Sequence, residues 1–481
     1  MKRKKAAQKA DGQTAETPAK RCVELQNVSI SPEHLTKQFE RAFRDKFYAA
    51  RPFAHISLRN FVDNSENFVE RLEEELQTYE NWHRKENDLY SLYQTTDFKN
   101  IPSTSQPNMF SFRQFLQQVV KPWLQTMAEV PLTDQIDITG SCYAETDNLL
   151  PHNDQIDTRR FAFVYYLTEA NWKKSDGGLL QLYDADYKST PSEVAKQLRP
   201  FRNSFLLFEV TEKSWHQVQE ICQAEKPRLS INGWFHSKRR LPEIVPKPEK
   251  IPKSMPIDAG KITTNKMVAP QYLDFHKQVQ VYKLFAENSE VLLPDFFETS
   301  RYSKLLKLLD QIDFEQVGPP NKRHVFRLPD HCDVGGSLGK LVTWLKSKEA
   351  AKLFEKLTSC SLSDSQMSLQ ISRIEKGCYS VAGDEDAEQA ERDGHVLDIN
   401  LFLGREDYPT KVGGSISYVA KNEEEELIHI TPKMNSAALA LKDPEVYSFL
   451  KYVTHKAPGP FYLVNLRYYK VPVETQSDGD D

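Results

Sequence analysis

The chain repeats itself, and this limits its architecture more than any single motif. Leu58-Arg59-Asn60-Phe61-Val62 precedes a helical pattern at residues 65–76, as Leu293-Pro294-Asp295-Phe296-Phe297 precedes one at 300–309. Cys142-Tyr143 aligns with Cys378-Tyr379, Leu167 with Leu403 and Gly177-Gly178 with Gly413-Gly414. Asn203-Ser204 then aligns with Asn435-Ser436, and Ile231-Asn232 with Val464-Asn465. Six matches in order, at offsets of 232 to 236 residues, imply a duplicated domain. Between the copies Pro242, Pro246, Pro248, Pro252 and Pro256 recur among lysines, a composition that runs extended and neither pairs nor coils. The 481 residues suit two domains of about 200 each.

Within each copy, helices come first. Phe68, Leu72, Leu76 and Tyr79 follow helical spacing after a Ser65 cap, and 114–127 reads as a second helix. From about residue 136 the pattern turns strand-like, with aromatic and β-branched runs at 161–167 and 204–210 and a Gly177-Gly178 turn between them. The expected fold is α+β: two tandem jelly-roll (double-stranded β-helix) domains with flanking helices, the second a degenerate copy. The divisions are a basic tail at 1–30, a first domain at 31–238, a Pro-rich linker at 239–268, a second domain at 269–473 and an acidic tail at 474–481. The acidic stretches 384–393 and 423–426 read as loops.

Composition excludes several classes. The net charge of -5 argues against direct nucleic-acid binding by the surface as a whole. No apolar run approaches the roughly 20 residues of a membrane helix. Six scattered cysteines with no CxxC pair indicate free thiols in a reducing compartment. Lys2-Arg3-Lys4-Lys5 and Lys20-Arg21 read either as a solvated end or as a bipartite nuclear import signal.

The chemistry-bearing residues lie in the first copy. On an extended segment His152 and Asp154 point to one side, and His216 follows a strand-like run. Two histidines and a carboxylate on a β scaffold suit the facial triad of non-heme Fe(II) oxygenases. The same set could hold zinc for hydrolysis. Twelve residues after His216, Arg228 opens a strand whose alternation puts Arg228, Ser230 and Asn232 on one face. An inward arginine needs an anion: either a structural Asp or Glu, or the carboxylate of a small acid.

These residues resemble the 2-oxoglutarate and Fe(II)-dependent oxygenases, a superfamily with a double-stranded β-helix and an HxD…H iron triad. The resemblance implies that His152, Asp154 and His216 are iron ligands and that Arg228 holds the far carboxylate of 2-oxoglutarate. Tyr166 either adds a hydroxyl to that carboxylate or packs as plain aromatic core. Within the superfamily, the tail, oxygenase domain, Pro-rich linker and second copy are similar to the Tpa-type ribosomal prolyl hydroxylases. Asn87-Asp88-Leu89-Tyr90, Trp215-His216-Gln217-Val218, 228–236 and Gly318-Pro319-Pro320-Asn321 carry this likeness. It implies prolyl 3-hydroxylation of the decoding-centre protein of the small ribosomal subunit, with an influence on translation. It further implies Fe(II), 2-oxoglutarate and O2 as cofactor and co-substrates, L-ascorbate as an accessory, and residence in nucleus and cytoplasm. A different protein or nucleic-acid target, or a non-enzymatic tandem scaffold, are the alternatives.

The second copy lacks every cofactor position. Its alignment places His152 near Glu388, Asp154 near Ala390, His216 near Ser448 and Arg228 near Phe461. It should bind no iron, and should instead support the first domain or grip the substrate protein.

Overall fold

The computed structural model describes residues 28–239, 255–257, 262–329, 332, 334–423 and 425–472. Most of the basic tail, most of the Pro-rich linker and the acidic tail lie outside them.

In the first half the helices α1 (Lys37–Ala49), α2 (Phe68–Gln77), α3 (Pro107–Phe115) and α4 (Lys121–Ala128) cover one face of an antiparallel sheet. Thr36 Oγ1 caps α1 by accepting from the Phe39 N–H at 3.1 Å, and α1 buries Phe43 and Phe47. Ser65 does not cap α2. Asn67 stands there in the left-handed conformation, and Asn64 Oδ1 takes the Val69 N–H at 2.8 Å. The segment expected at 114–127 starts earlier, at Pro107, and runs through a π turn at Leu116–Val120 into α4. Proline at the first helical position suits this start, because its missing N–H has no partner to lose there.

The strands of this half are β1 (His55–Leu58), β2 (Trp82–Glu86), β3 (Tyr90–Thr95), β4 (Ile136–Tyr143), β5 (Asn148–His152), β6 (Arg159–Tyr166), β7 (Leu180–Ala185), β8 (Pro191–Leu198), β9 (Ser204–Glu209), β10 (His216–Val218) and β11 (Arg228–His236). They pair in the order β1-β9-β6-β11-β4-β3-β5-β10-β7-β8. Alternation sorts the side chains. Phe161, Phe163 and Tyr165 of β6 pack on the helices, while Ala162 and Tyr166 point between the two layers of the roll. Each large apolar side chain so buried contributes about 1.5–3 kcal/mol.

The second half repeats the plan with α5 (Phe275–Asn288), α6 (Thr299–Leu309), α7 (Gly336–Leu345), α8 (Lys348–Thr358) and α9 (Asp384–Asp393). A short β12 (Met255–Pro256) precedes β13 (Glu290–Leu293), β14 (Glu315–Val317), β15 (Arg323–Arg327), β16 (Gln366–Ile374), β17 (Tyr379–Ser380) and β18 (Val396–Gly404). Then come β19 (Ile416–Ala420), β20 (Glu426–Ile430), β21 (Ser436–Lys442), β22 (Val446–Leu450) and β23 (Phe461–Tyr469). One sheet runs β13-β21-β18-β23-β16-β15-β14 and faces a smaller one, β20-β19-β22. Among the described residues no helix is long and apolar enough to cross a membrane.

The duplication reaches individual hydrogen bonds. Asn203, at φ 52°, accepts from the Val62 N–H at 3.0 Å and donates to the Val62 carbonyl at 2.9 Å. Asn435, at φ 57°, makes the same pair with Phe297 at 3.0 and 2.9 Å. Asparagine tolerates this left-handed backbone better than most residues.

Two local expectations change. Asn232 faces Thr139, and its counterpart Asn465 faces Gln370, so Tyr143 corresponds to Ile374 and not to Tyr379. Cys378-Tyr379 instead leads into β17. The acidic stretch 384–393 is the helix α9, not a loop: Glu, Ala, Gln and Arg are compatible with a helix, and Glu388 pairs with Arg392 one turn on.

Candidate active site

Ladder register brings the triad residues together. His216 on β10 lies directly opposite His152 on β5, and their rings are 4.2 Å apart at the centroids. The chain then turns at Asp154, a non-glycine residue at φ 60°, which swings its carboxylate back towards both rings. Ser214 fixes the turn by donating to the Asn153 carbonyl at 2.9 Å. Asp154 Oδ1 lies 3.4 Å from His152 Nε2, and Oδ2 lies 3.5 Å from His216 Nε2. The three ligand atoms all fall within 4.8 Å of one another.

The tautomers suit a metal. His152 Nδ1 lies 2.9 Å from the Leu150 carbonyl and His216 Nδ1 lies 2.8 Å from the Ser214 carbonyl. A carbonyl only accepts, so each Nδ1 carries the proton and each Nε2 presents its lone pair to the common point. The electrostatics separate the two rings. Burial, joined by the neighbouring His152, pushes His216 down to about 4 and keeps it neutral. Burial alone would raise Asp154, but His152, His216 and Arg159 outweigh it and hold the carboxyl well below the usual range. Burial alone would lower His152, but the Asp154 carboxylate outweighs it and raises that imidazole, so the two rings are shifted in opposite directions. Two imidazoles with an ionised carboxylate are a donor set that Fe(II) takes.

Arg228 supplies a second test of fit. It is 1 % exposed, inside the roll. Its Nε donates to the Gly178 carbonyl at 2.9 Å, and one Nη lies 3.4 Å from the Tyr166 hydroxyl. The rings of Tyr143 and Tyr166 flank the guanidinium, at 5.1 and 5.0 Å from Cζ. No carboxylate among the described residues pairs with it. A structural Asp or Glu partner is therefore absent from the described residues, and a buried guanidinium so placed can pair with an anion from outside. Gly178 makes the room: at φ +65°, a Cβ there would lie 2.5 Å from Ile221 and 2.9 Å from the Arg228 side chain.

Three further residues complete the lining and were not singled out from the sequence. Tyr143 stands beside Arg228. Arg159 lies 4.0 Å from Asp154 Oδ1 with its guanidinium 3.5 Å above the Trp234 ring, and Trp234 Nε1 is buried without a hydrogen-bond partner. Trp234 was in reach, since it shares the inward face of β11 with Arg228. Arg159 was not: its place depends on the bend at Asp154.

Residues 138–236 match the 2OG-Fe(II) oxygenase superfamily, and residues 263–478 match the family "Oxoglutarate and iron-dependent oxygenase degradation C-term". The chain is 33 % identical over 442 residues to prolyl 3-hydroxylase OGFOD1 of Xenopus laevis, covering 84 % of each. It is 29 % identical over 473 residues to prolyl 3-hydroxylase OGFOD1 of Mus musculus, covering 84 % of this chain and 85 % of that one. Among solved structures, a Pseudomonas putida prolyl-4-hydroxylase is 18 % identical with a TM-score of 0.34, over 42 % of this chain and all of that one. The similarity over 84 % of the chain and the oxygenase match both include the residues that build this site, so the chain belongs to the prolyl 3-hydroxylase family of 2-oxoglutarate- and Fe(II)-dependent oxygenases.

Proposed function

We propose that the chain hydroxylates a prolyl residue at C3 in the decoding-centre protein of the small ribosomal subunit and so influences translation. The observation that carries the oxygenase reading to this site is Arg228, a buried guanidinium with no carboxylate partner among the described residues, beside an intact His-Asp-His donor set. Zinc hydrolysis would leave that arginine unexplained. The relatives' activity supports proline as the target.

His152, Asp154 and His216 would hold Fe(II), which with 2-oxoglutarate and O2 supplies the oxidation that converts C–H to C–OH and releases succinate and CO2. Every other role belongs to the chain. The two Nδ1–H bonds to backbone carbonyls fix the ring planes, so that both Nε2 atoms address one point. Arg228, with the Tyr166 hydroxyl, would bind the far carboxylate of 2-oxoglutarate as a charge-assisted pair and set the distance of its other end from the triad. Phe208, edge-on to His216 at 4.6 Å, and the rings of Tyr143 and Tyr166 exclude water from that path. At the mouth, Arg159 is the donor that can take a peptide carbonyl and hold the substrate proline over the site.

Residues 31–238 form the catalytic unit in this reading, and residues 269–473 serve stability or substrate grip. The basic clusters of the N-terminal segment support a nuclear and cytoplasmic distribution, and their removal should abolish the nuclear signal of a fluorescent fusion. The deciding experiment supplies Fe(II), 2-oxoglutarate, O2 and ascorbate, with and without a peptide from the ribosomal protein. Peptide-dependent succinate and a peptide heavier by one oxygen atom are expected. Succinate formed regardless of peptide would overturn the substrate, and no succinate would overturn the activity.

A further inference from the structure

Among the described residues, a second set of three metal-ligating side chains meets outside the triad. Glu220, Cys222 and His455 each offer one donor atom, and these atoms all lie within 4.8 Å of one another. The set draws on both halves: Glu220 and Cys222 follow β10, and His455 follows β22.

Backbone bonds place each donor. The Ile221 N–H donates to the Asp147 carbonyl at 3.0 Å, and the Ile221 carbonyl accepts the Thr146 N–H at 2.8 Å, which ties 220–222 to the loop that carries Glu145. The Cys222 N–H donates to the Asp176 carbonyl at 2.9 Å. In the second half the Val453 and Thr454 N–H groups donate to the Cys378 and Val412 carbonyls at 2.8 and 2.9 Å, just before His455. Across the two halves, the Glu220 oxygens accept the His455 main-chain N–H at 2.9 and 3.0 Å, and the Tyr452 hydroxyl donates to Oε2 at 3.3 Å. Glu220 is 6 % exposed, whereas Cys222 and His455 are half-buried, so an ion can reach the cluster.

Both nitrogens of the His455 ring face a carboxylate. Nδ1 lies 2.8 Å from Glu220 Oε1, and Nε2 lies 3.8 Å from Glu145 Oε1. Whichever nitrogen takes a metal, a carboxylate remains to hold the N–H of the other. The charges favour a cation. Burial, then the carboxylates of Glu220, Glu145 and Asp176, push the Cys222 thiol up. Lys456 answers Glu145, and Lys226 answers Asp176 at 3.4 Å. No lysine or arginine among the described residues pairs with Glu220. A protonated His455 would balance Glu220 alone, whereas a dication balances Glu220 and a Cys222 thiolate together.

We propose that Glu220, Cys222 and His455 form a second metal site, one for Zn(II), which clamps the two halves together. Thiolate, imidazole and carboxylate are donors that zinc takes, with a fourth position left to water; the triad contains no sulfur. Binding sends the thiol proton to solvent.

Metal-free full-length protein is titrated with Co(II), a spectroscopic stand-in for zinc, as Asp154→Ala, Asp154→Ala/Cys222→Ser and Asp154→Ala/His455→Ala. The Asp154→Ala background disables the triad, and a thiolate-to-cobalt charge-transfer band reports sulfur ligation. The band should saturate at one equivalent in Asp154→Ala and yield to Zn(II). It should be absent with Cys222→Ser and need at least about tenfold more cobalt with His455→Ala. Zn(II) should raise the melting temperature of Asp154→Ala and leave that of Asp154→Ala/Cys222→Ser unmoved. Cys222→Ala replaces the serine variant if that fails to fold. No band in Asp154→Ala, or a band that survives Cys222→Ser, overturns the site. A band indifferent to His455→Ala overturns the clamp.

Discussion

The Arg228 guanidinium and the Tyr166 hydroxyl stand 3.4 Å apart inside the first barrel, at the outer edge of hydrogen-bond distance, and neither meets an acidic side chain among the described residues. The two should therefore differ in weight. Removing Arg228 forfeits a charge-assisted bond, about 1.5–3 kcal/mol, so Arg228→Ala should raise the apparent 2-oxoglutarate constant roughly 10- to 100-fold. Tyr166→Phe should raise it only a few-fold. Succinate release against 2-oxoglutarate concentration measures both, and equal effects would reassign the carboxylate to the tyrosine.

The three donor side chains converge on one point, their ligand atoms all within 4.8 Å of one another. Asp154→Ala, His152→Ala and His216→Ala should each abolish turnover while leaving the helices and sheets intact, because none of the three belongs to the apolar cores. Fe(II) added anaerobically should raise the melting temperature of wild type by mass action and leave that of each variant unmoved. A variant that still gains stability from iron would place the metal elsewhere.

Gly178→Ala tests the cradle of Arg228. The added methyl meets Ile221 and the arginine stem, on a backbone at φ +65° that disfavours alanine. We expect a stability loss of about 1–3 kcal/mol together with weaker 2-oxoglutarate binding. Chemical denaturation and co-substrate titration of one preparation read the two losses. An unchanged affinity would show that the arginine does not need this position.

Acid should loosen one ionic cluster before the fold as a whole. Glu426 contacts Lys451 at 2.6 Å and His429 at 2.7 Å, and Lys451 reaches Glu86 of the first half at 3.2 Å. Burial would raise Glu426, but His429 and Lys451 outweigh it and lower it from 4.5 to about 2. Because the folded value lies below the unfolded one, the stabilisation is complete above pH 4.5 and is lost as pH falls towards 2. Glu426→Gln should flatten the acid limb of the stability profile in that window and change little at neutral pH. An unaltered acid limb would remove Glu426 from the account.

His152, His216 and Arg228 were legible because each needs only period-two alternation to be placed on a face; Asp154 was picked out by the same alternation but reaches the site through a turn at φ 60°, beyond the end of β5. The duplication was legible because turns and corners kept their residues: Asn203 and Asn435 hold the same backbone conformation and the same bonds. Register was harder. Cys142-Tyr143 and Cys378-Tyr379 look equivalent on paper, yet the ladders pair Tyr143 with Arg228 and Ile374 with Phe461. Long-range contacts left no local trace. Nothing in the neighbours of Glu220 announces that it accepts the His455 N–H at 2.9 Å and faces His455 Nδ1 at 2.8 Å across the two halves.

The helix α9 has a consequence for how the second half can change. It fills the stretch between β17 and β18 where the first half bends through Asp154 to bring a carboxylate back onto two rings. Substituting three metal-binding side chains into the second half would not rebuild the centre, because the main chain that must carry two of them now coils instead of turning. Point substitution alone therefore does not turn this half into a second iron centre. A new centre there would need the chain between β17 and β18 to be rebuilt as a turn, a change of backbone and not of side chains.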